Sequence, residues 1–223
     1  MSRRGPRADL DVRAVVLDVA ERMFGTQGPE AVSLRAVARE AGVAPAAVSH
    51  HFPGKTALIA AVVARRSPAV SSGIRAGLQP LLDAGEVPVR ALVDAVLRPL
   101  VGVLADDPVG GLSWLKVLVR LALDDDPLFA ETLHGEPGLD ELFSRVAARA
   151  LPDHADADVR RRTGIAMLTM LTALSGADLR GYGRPLGAAG LDPAWVEQLA
   201  LFTSAGLTAT SRPRPTGPTG DPA

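Results

Sequence analysis

The chain has 223 residues, is 47% hydrophobic but only 4% aromatic, and carries a formal net charge of −1. This balance suits a mostly helical globular protein of one or two domains. It contains no cysteine, which excludes disulfides and thiolate metal sites. The uncharged stretches 163–177 and 198–211 are shorter than the roughly 20 apolar residues of a membrane span, and the N-terminus lacks a signal-peptide core. We therefore expect a cytoplasmic protein with no membrane partner.

The charge is unevenly distributed along the chain. Residues 1–66 hold ten Lys or Arg and six Asp or Glu, whereas residues 67–223 hold fourteen and nineteen. Ordinary scatter could produce this difference, but it also favours binding of a polyanion by the N-terminal part alone. The first nine residues, MSRRGPRAD, are predicted to form a basic disordered arm that either follows phosphates or enters a minor groove, or stays a solvated tail.

The first helix is predicted from Asp11 to Phe24, where apolar residues recur at helical spacing. Gly25 is predicted to end it. Because the apolar residues form a single stripe, this helix is interpreted as the core on which the next two helices pack.

The stretch from Ser33 to Lys55 predicts a helix, a tight turn and a second helix. Ser33 can cap the first helix, Gly42 can enter the left-handed region after it, and Pro45 suits the first position of the second helix. Two short helices around a glycine-bearing turn form a helix-turn-helix, whose second helix can enter a DNA major groove.

The exposed side of that second helix is predicted to contact DNA through Pro45, Ala46, Ala47, Ser49 and His50. The two alanines can approach thymine methyl groups, and the serine and histidine can hydrogen-bond bases or phosphates. Ser33 and Arg35 can reach phosphates or a base edge. His51 and Lys55 are predicted to bind phosphate, the lysine from a helix N-terminus, although Lys55 could also be an ordinary surface residue.

This stretch resembles the DNA-binding motif of the tetracycline-repressor (TetR) family of transcriptional regulators. The matching positions, within about residues 10–65, are Gly28, Ala31, Ser33, Leu34, Val37, Ala38, Ala41-Gly42-Val43, Val48, His51-Phe52, Lys55 and Leu58. Members usually have Ser or Thr where Ala44 stands and Tyr where Ser49 stands, which implies that the second helix lacks a side-chain cap and one aromatic DNA contact.

The resemblance implies an all-α fold, with an N-terminal helix-turn-helix domain and a larger helical ligand-binding and dimerisation domain. We assign residues 1–9 to the arm, 10–66 to DNA binding, 67–211 to effector binding and dimerisation, and 212–223 to a disordered tail. The expected function is a sequence-specific DNA-binding regulator: a homodimeric repressor on a palindromic operator, released by a small-molecule effector. An all-helical interaction module and a helical enzyme carrying a helix-turn-helix are the alternatives.

The fourth helix is predicted to run to about Arg66 and to continue, kinked, past Pro68. Further helices are predicted at Val87–Ala105, Leu112–Leu123, Leu139–Leu151 and Asp158–Tyr182, with no strand pattern. Irregular helices pack with gaps, where small-molecule pockets form. The candidate effector pocket is apolar, though each member could be plain core: Trp114, Leu118, Phe129, Met167, Met170 and Leu171, with Arg120, His134 or Asp178 as polar anchors.

The middle of the predicted helix Asp158–Tyr182, residues 163–177, is uncharged on every side, and the helix that follows is likewise uncharged over residues 198–211. A helix that is apolar all round must be covered all round. We therefore predict that two helices of each subunit form a four-helix bundle. The predicted interface residues are Leu168, Leu174, Leu199, Leu201 and Phe202.

Catalytic and metal-binding motifs are missing from the sequence. The adjacent His50 and His51 point about 100° apart on a helix and cannot chelate one metal together. Asp124-Asp125-Asp126 could bind a hard cation but is more often a solvated loop. No phosphate cradle, Gly-x-Ser-x-Gly or His-Glu-x-x-His occurs, so we expect neither an enzyme nor a cofactor or metal.

Overall fold

The computed structural model describes residues 6–134 and 138–209, and in this part of the chain helices dominate. They are α1 Pro6–Gln27, α2 Leu34–Glu40, α3 Pro45–His51, α4 Lys55–Ala64, α5 Ser67–Asp83, α6 Val89–Asp106, α7 Pro108–Leu123, α8 Pro127–His134, α9 Leu139–Ala150, α10 Asp156–Ser175 and α11 Pro193–Thr208. The all-α fold predicted from the sequence is confirmed.

Helix α1 is longer at both ends than predicted. It begins at Pro6, so the end of the expected arm is helical, while residues 1–5 lie outside the described residues. Gly25 does not end the helix but lies at its crossing with α7, where a Cβ on Gly25 would come within 2.6 Å of the Ser113 Cα. The left-handed residue that follows the helix is Gly28, with φ +82°.

Two separate helices replace the predicted continuation of the fourth helix past Pro68. Helix α4 ends at Ala64 and α5 begins at Ser67. Pro68 lies in the first turn of α5, where its missing N–H costs no helical hydrogen bond.

Helix α8 was missed in the sequence. The Asp126 carboxylate accepts a hydrogen bond from the Leu128 N–H at 2.9 Å and caps the new helix. Asp192 caps α11 in the same way, through the Ala194 N–H at 2.9 Å. The Asp-Pro pair that precedes α11, Asp192-Pro193, therefore also precedes α8, as Asp126-Pro127.

The predicted helix Asp158–Tyr182 ends early, at Ser175. The chain then forms a 3-10 turn, Arg180–Tyr182, and a small antiparallel pair, β1 Leu186–Gly187 with β2 Gly190–Leu191. Because each strand has only two residues, neither leaves an alternating pattern in the sequence, and the pair was not predicted. The ring of Tyr182 folds back over Gly176, where a Cβ would lie 2.8 Å from it.

Candidate nucleic-acid interface

The helix-turn-helix forms as the sequence predicts. The Ser33 hydroxyl accepts a hydrogen bond from the Ala36 N–H at 3.1 Å and caps α2. Gly42 follows α2 with φ +66°, and the Val43 N–H donates to the Ala38 carbonyl at 3.0 Å, which closes the helix end. Helix α3 starts at Pro45 without a side-chain cap from Ala44.

The buried side of the motif fixes how α3 is presented. Val37 and Ala38 of α2 and Val48 of α3 are at most 1% exposed. The guanidinium of Arg13 on α1 lies 5.4 Å from the centre of the Phe52 ring, just after α3. Since α3 is held from one side only, its opposite side is open to solvent.

The predicted DNA contacts divide into exposed and half-buried residues. Six are exposed: Ser33, Arg35, Pro45, Ala46, Ser49 and His50. Ala47, His51 and Lys55 are half-buried, and the His51 ring lies 5.3 Å from that of His50. An outer surface of α3 is therefore built from small or uncharged side chains, with Arg35 beside it.

Lys55, at the N-terminus of α4, has a partner that sequence reasoning missed. Its Nζ donates to the Glu30 carbonyl at 3.1 Å and lies 3.6 Å from the Glu30 carboxylate. The Glu30 side chain is 86% exposed. Lys55 is thereby held near the helix-turn-helix, but its charge is already paired.

An ion-pair network joins this domain to the following helices. Glu21 of α1, only 3% exposed, accepts hydrogen bonds from Arg65 at 2.9 Å and Arg66 at 3.0 Å. Arg66 also binds Asp107, at 2.6 Å, before α7. The pKa of Asp107 is lowered mainly by the hydrogen bond from the Gly110 N–H and, to a smaller extent, by the Arg66 guanidinium. The network therefore connects α1, the α4–α5 junction and the start of α7.

Helices α10 and α11, with Tyr182 of the 3-10 turn between them, form one largely apolar surface, which we call the α10–α11 face: Ile165, Leu168, Tyr182, Trp195 and Phe202, with Thr169, Thr172, Ala173, Gln198 and Leu199. Phe202 is 71% and Ile165 69% exposed. A groove of about 620 Å³ runs along this face. Arg90 of α6 pairs with Glu197 at 2.6 Å and holds α11 in place.

Of the five predicted interface residues, Leu174 is fully buried in the core of its own chain, so its assignment to a subunit interface was wrong. Leu199 is only 8% exposed but lines the groove. Leu168 and Phe202 are exposed and line it too, while Leu201 is 48% exposed and lies outside the groove lining. Ile165, Tyr182 and Trp195 were missed.

The predicted effector pocket is only partly assembled. Trp114, Leu118, Met167 and Leu171 line a cavity of about 50 Å³, whereas Met170 and Phe129 do not. Met170 is buried elsewhere, and Phe129 is half-buried against the core. The cavity also includes residues that sequence reasoning missed: Ser67, Val70, Ser71, Ile74, Leu100, Thr132 and Leu139.

The predicted polar anchors are engaged elsewhere or not described. Asp178 binds Lys116 at 2.6 Å, and Arg120 lies 3.6 Å from Asp124. The side chain of His134 lies outside the described residues. Among the described residues, no helix is long and apolar enough to cross a membrane, and no cluster of three His, Asp or Glu is placed to bind a metal.

Comparison with known proteins agrees with this architecture. Residues 16–62 match the family model described as bacterial regulatory proteins, tetR family. The HTH-type transcriptional regulators BetI of Brucella suis biovar 1 (strain 1330) and Brucella canis are each 26% identical over 152 residues, covering 65% of this chain and 74% of theirs.

Solved structures share the fold. A TetR-like transcriptional regulator from Rhodococcus sp. RHA1 superposes with a TM-score of 0.60 at 19% identity, over 92% of this chain and 96% of that one. The fatty acid degradation regulator FadR from Bacillus halodurans gives 0.59 at 17% identity, over 92% and 98%.

The exposed α3 on an all-helical scaffold defines a helix-turn-helix DNA-binding transcriptional regulator. The resemblance to the TetR family of these regulators is thereby confirmed for the helix-turn-helix region, residues 16–62.

Proposed function

We propose that the protein is a homodimeric repressor that binds a palindromic operator and leaves it when a small molecule binds. The observation that carries this proposal is that the same chain has both an exposed α3 and an uncovered apolar face on α10 and α11. The exposed α3 gives each subunit its contact with one half-site, and the apolar face brings two subunits together. The proposal assigns no reaction to the protein.

The division of labour follows the chain. Residues 10–66 bind DNA and residues 67–211 bind the effector and dimerise, with the change between Ala64 and Ser67, where α4 ends and α5 begins. The proposed arm, residues 1–9, merges into α1 at Pro6. The proposed tail, residues 212–223, lies outside the described residues.

The DNA contacts follow from the chemistry of the exposed α3 surface. The methyl group of Ala46 lets the helix lie deep in the major groove against thymine methyls, and Ser49 and His50 supply hydrogen bonds to bases. Arg35 and the Ser33 hydroxyl, whose proton is not used in capping Ala36, contact the backbone. Ala47 and His51, being half-buried, contribute at the edge of the interface.

The dimer forms through the α10–α11 face by two-fold symmetry, so that two helices of each subunit build a four-helix bundle. Phe202 lies at its most exposed part. In a Phe202→Asp variant the bundle would bury an unpaired carboxylate, which is strongly unfavourable. Leu123, 61% exposed at the end of α7 and not part of this face, provides the matched control Leu123→Asp.

Sedimentation at micromolar concentration tests the interface. We expect Phe202→Asp to be monomeric and to lose at least about 100-fold in operator affinity, since linked half-sites gain that much or more from effective concentration. Leu123→Asp should remain dimeric with full affinity. A dimeric Phe202→Asp would show that the subunits meet elsewhere.

Selection of bound DNA from a random pool tests the function as a whole, with the salt concentration stated because affinity depends steeply on it. The proposal predicts enrichment of one inverted repeat whose half-sites face the same side of the duplex. Binding without an enriched sequence, or no binding at low salt, would contradict it. Reporter expression from the selected site, with and without the protein, separates repression from activation.

A further inference from the structure

We propose that the effector is an uncharged, predominantly apolar molecule that binds in the cavity beside Trp114. This inference rests on the proposed ligand response and adds the chemical class of the ligand. The cavity is the space among α5, α6, α7, α8, α9 and α10 whose walls include Leu100, Trp114, Leu118, Met167 and Leu171.

The described walls of this cavity offer no countercharge, since none of the described residues that line it is ionisable. Arg66, next to Ser67 in the chain, is paired with Glu21 and Asp107 and does not line the cavity. Transferring an ion from water into such surroundings without a partner is costly, so a charged ligand would be rejected.

The polar atoms of the lining restrict the ligand further. Three hydroxyl residues contribute: Ser67, Ser71 and Thr132. The Ser67 hydroxyl donates to the Val63 carbonyl at 2.8 Å, and the Thr132 hydroxyl donates to the Leu128 carbonyl at 2.7 Å. Both protons are thus used inside the protein. The cavity can accommodate a single hydroxyl or similar neutral group, but not a ligand with several polar groups.

The size of the cavity indicates how a ligand enters. About 50 Å³ is far below the roughly 300–1,000 Å³ of typical small-molecule pockets. Met167 is half-buried, and its unbranched side chain can adopt other rotamers at low cost. We therefore expect the side chain of Met167 to change its rotamer before the other lining residues move, and a compact ligand to occupy the space that it leaves.

Two larger grooves lie along α10 and α11, with about 620 and 540 Å³. Both include Ile165 and Phe202, which belong to the surface that the proposed dimer covers. The cavity beside Trp114 is instead connected to the DNA-binding domain, because the Trp114 indole donates to the Val63 carbonyl of α4 at 3.0 Å.

Three probes of equal ring size separate the ligand classes: benzyl alcohol, benzylammonium and benzoate. The chain has two tryptophans, so Trp195→Phe leaves Trp114 as the only indole and its fluorescence as the reporter. In this background, Met167→Ala enlarges the cavity. Met170→Ala is the matched control, since Met170 is buried on the same helix but does not line the cavity.

We expect benzyl alcohol to change Trp114 fluorescence with a Kd at least about tenfold lower than that of either ion. Met167→Ala should tighten this binding several-fold, whereas Met170→Ala should not. If benzylammonium or benzoate binds as tightly as benzyl alcohol or more tightly, the proposed ligand class is wrong. The proposal is also contradicted if none of the three probes changes the Trp114 fluorescence of the Met167→Ala variant.

Because binding is measured at Trp114 and not on DNA, the two proposals can fail separately. If benzyl alcohol binds selectively but operator affinity does not change, the ligand class is supported. The same result would contradict the proposal that ligands of this class release the protein from its operator.

Discussion

Removing the charge of Lys55 should weaken binding to every DNA sequence alike. Lys55 lies at the N-terminus of α4, where both its ammonium and the helix dipole favour a phosphate. A phosphate contact carries no sequence information, so Lys55→Ala should leave the order of preferred operators unchanged.

The salt dependence gives the magnitude. Each phosphate contact contributes about 0.9 to the slope of log affinity against log salt. A dimer with one Lys55 contact per subunit would therefore lose about 1.8 from the slope, or about 60-fold in affinity at 0.1 M relative to 1 M salt. The free protein pairs Lys55 with Glu30. Breaking this exposed pair costs about 0–1 kcal/mol per subunit, so the slope is a better measure than affinity at one salt concentration.

Fluorescence anisotropy of a labelled operator between 50 and 300 mM salt (about two- to threefold steps around physiological conditions) provides the assay. Lys116, the only other lysine, is also paired with a carboxylate, Asp178 at 2.6 Å, so Lys116→Ala is the matched control and should keep the wild-type slope. Glu30→Gln should raise affinity slightly, because it removes the carboxylate beside Lys55 while the hydrogen bond to the carbonyl of residue 30 can remain. Identical slopes for Lys55→Ala and wild type would remove Lys55 from the DNA contacts.

Three further predictions concern stability, each measured by urea unfolding. Gly25→Ala should lower the free energy of unfolding by about 1–3 kcal/mol or more, since its Cβ would lie 2.6 Å from the Ser113 Cα at the α1–α7 crossing. An unchanged stability would mean that the two helices can move apart without cost. Gly42→Ala should lose about 1–2 kcal/mol from its left-handed φ of +66° alone, because nothing lies within 4 Å; a larger loss would reveal a hidden contact. Asp107→Asn should lose at most about 1 kcal/mol at pH 7, given a half-exposed carboxylate. The pKa of Asp107 is lowered in the folded state, so its stabilising contribution is present above about pH 4 and disappears as the pH falls through the folded pKa. The difference in unfolding free energy between Asp107→Asn and wild type should therefore become smaller in acid. A difference that grows in acid would contradict this assignment.

Local signals explain which elements could be predicted from the sequence. The bounds of α3 follow from Gly42 and Pro45, whose backbone preferences act within a few residues. The end of α10 at Ser175 depends instead on how Tyr182 packs back on Gly176, a contact between residues that helical periodicity does not describe.

The candidate sites show a different limit. An apolar pattern on all sides of α10 indicates that both sides are covered, but not which side faces the chain's own core. Leu174 and Leu168 look alike in the sequence, yet the first is fully buried and the second 37% exposed. Trp114 and Met167 meet at the cavity because α7 packs on α10, and that contact is tertiary. Glu30 as the partner of Lys55 depends on the turn before α2, which carries no pairing signal in the sequence.

A final prediction concerns how the cavity communicates with the DNA-binding domain. The Val63 carbonyl, in the last turn of α4, accepts two hydrogen bonds from side chains: from the Trp114 indole at 3.0 Å and from the Ser67 hydroxyl at 2.8 Å. Both donors line the cavity, so a ligand there touches the groups that hold the end of α4. Trp114→Phe keeps an aromatic ring but removes one of the two bonds.

Removing this hydrogen bond should destabilise the protein by about 0.5–1.5 kcal/mol, and the effect should be largest where α4 ends. Amide hydrogen exchange in the last turn of α4 should then accelerate about 2- to 12-fold relative to α3, if that turn opens locally. Trp195→Phe, on the α10–α11 face, is the control and should leave this exchange unchanged. If α4 exchanges at the wild-type rate in Trp114→Phe, then the indole does not hold the helix, and a ligand that displaces it would have no direct route to Lys55 at the other end of α4.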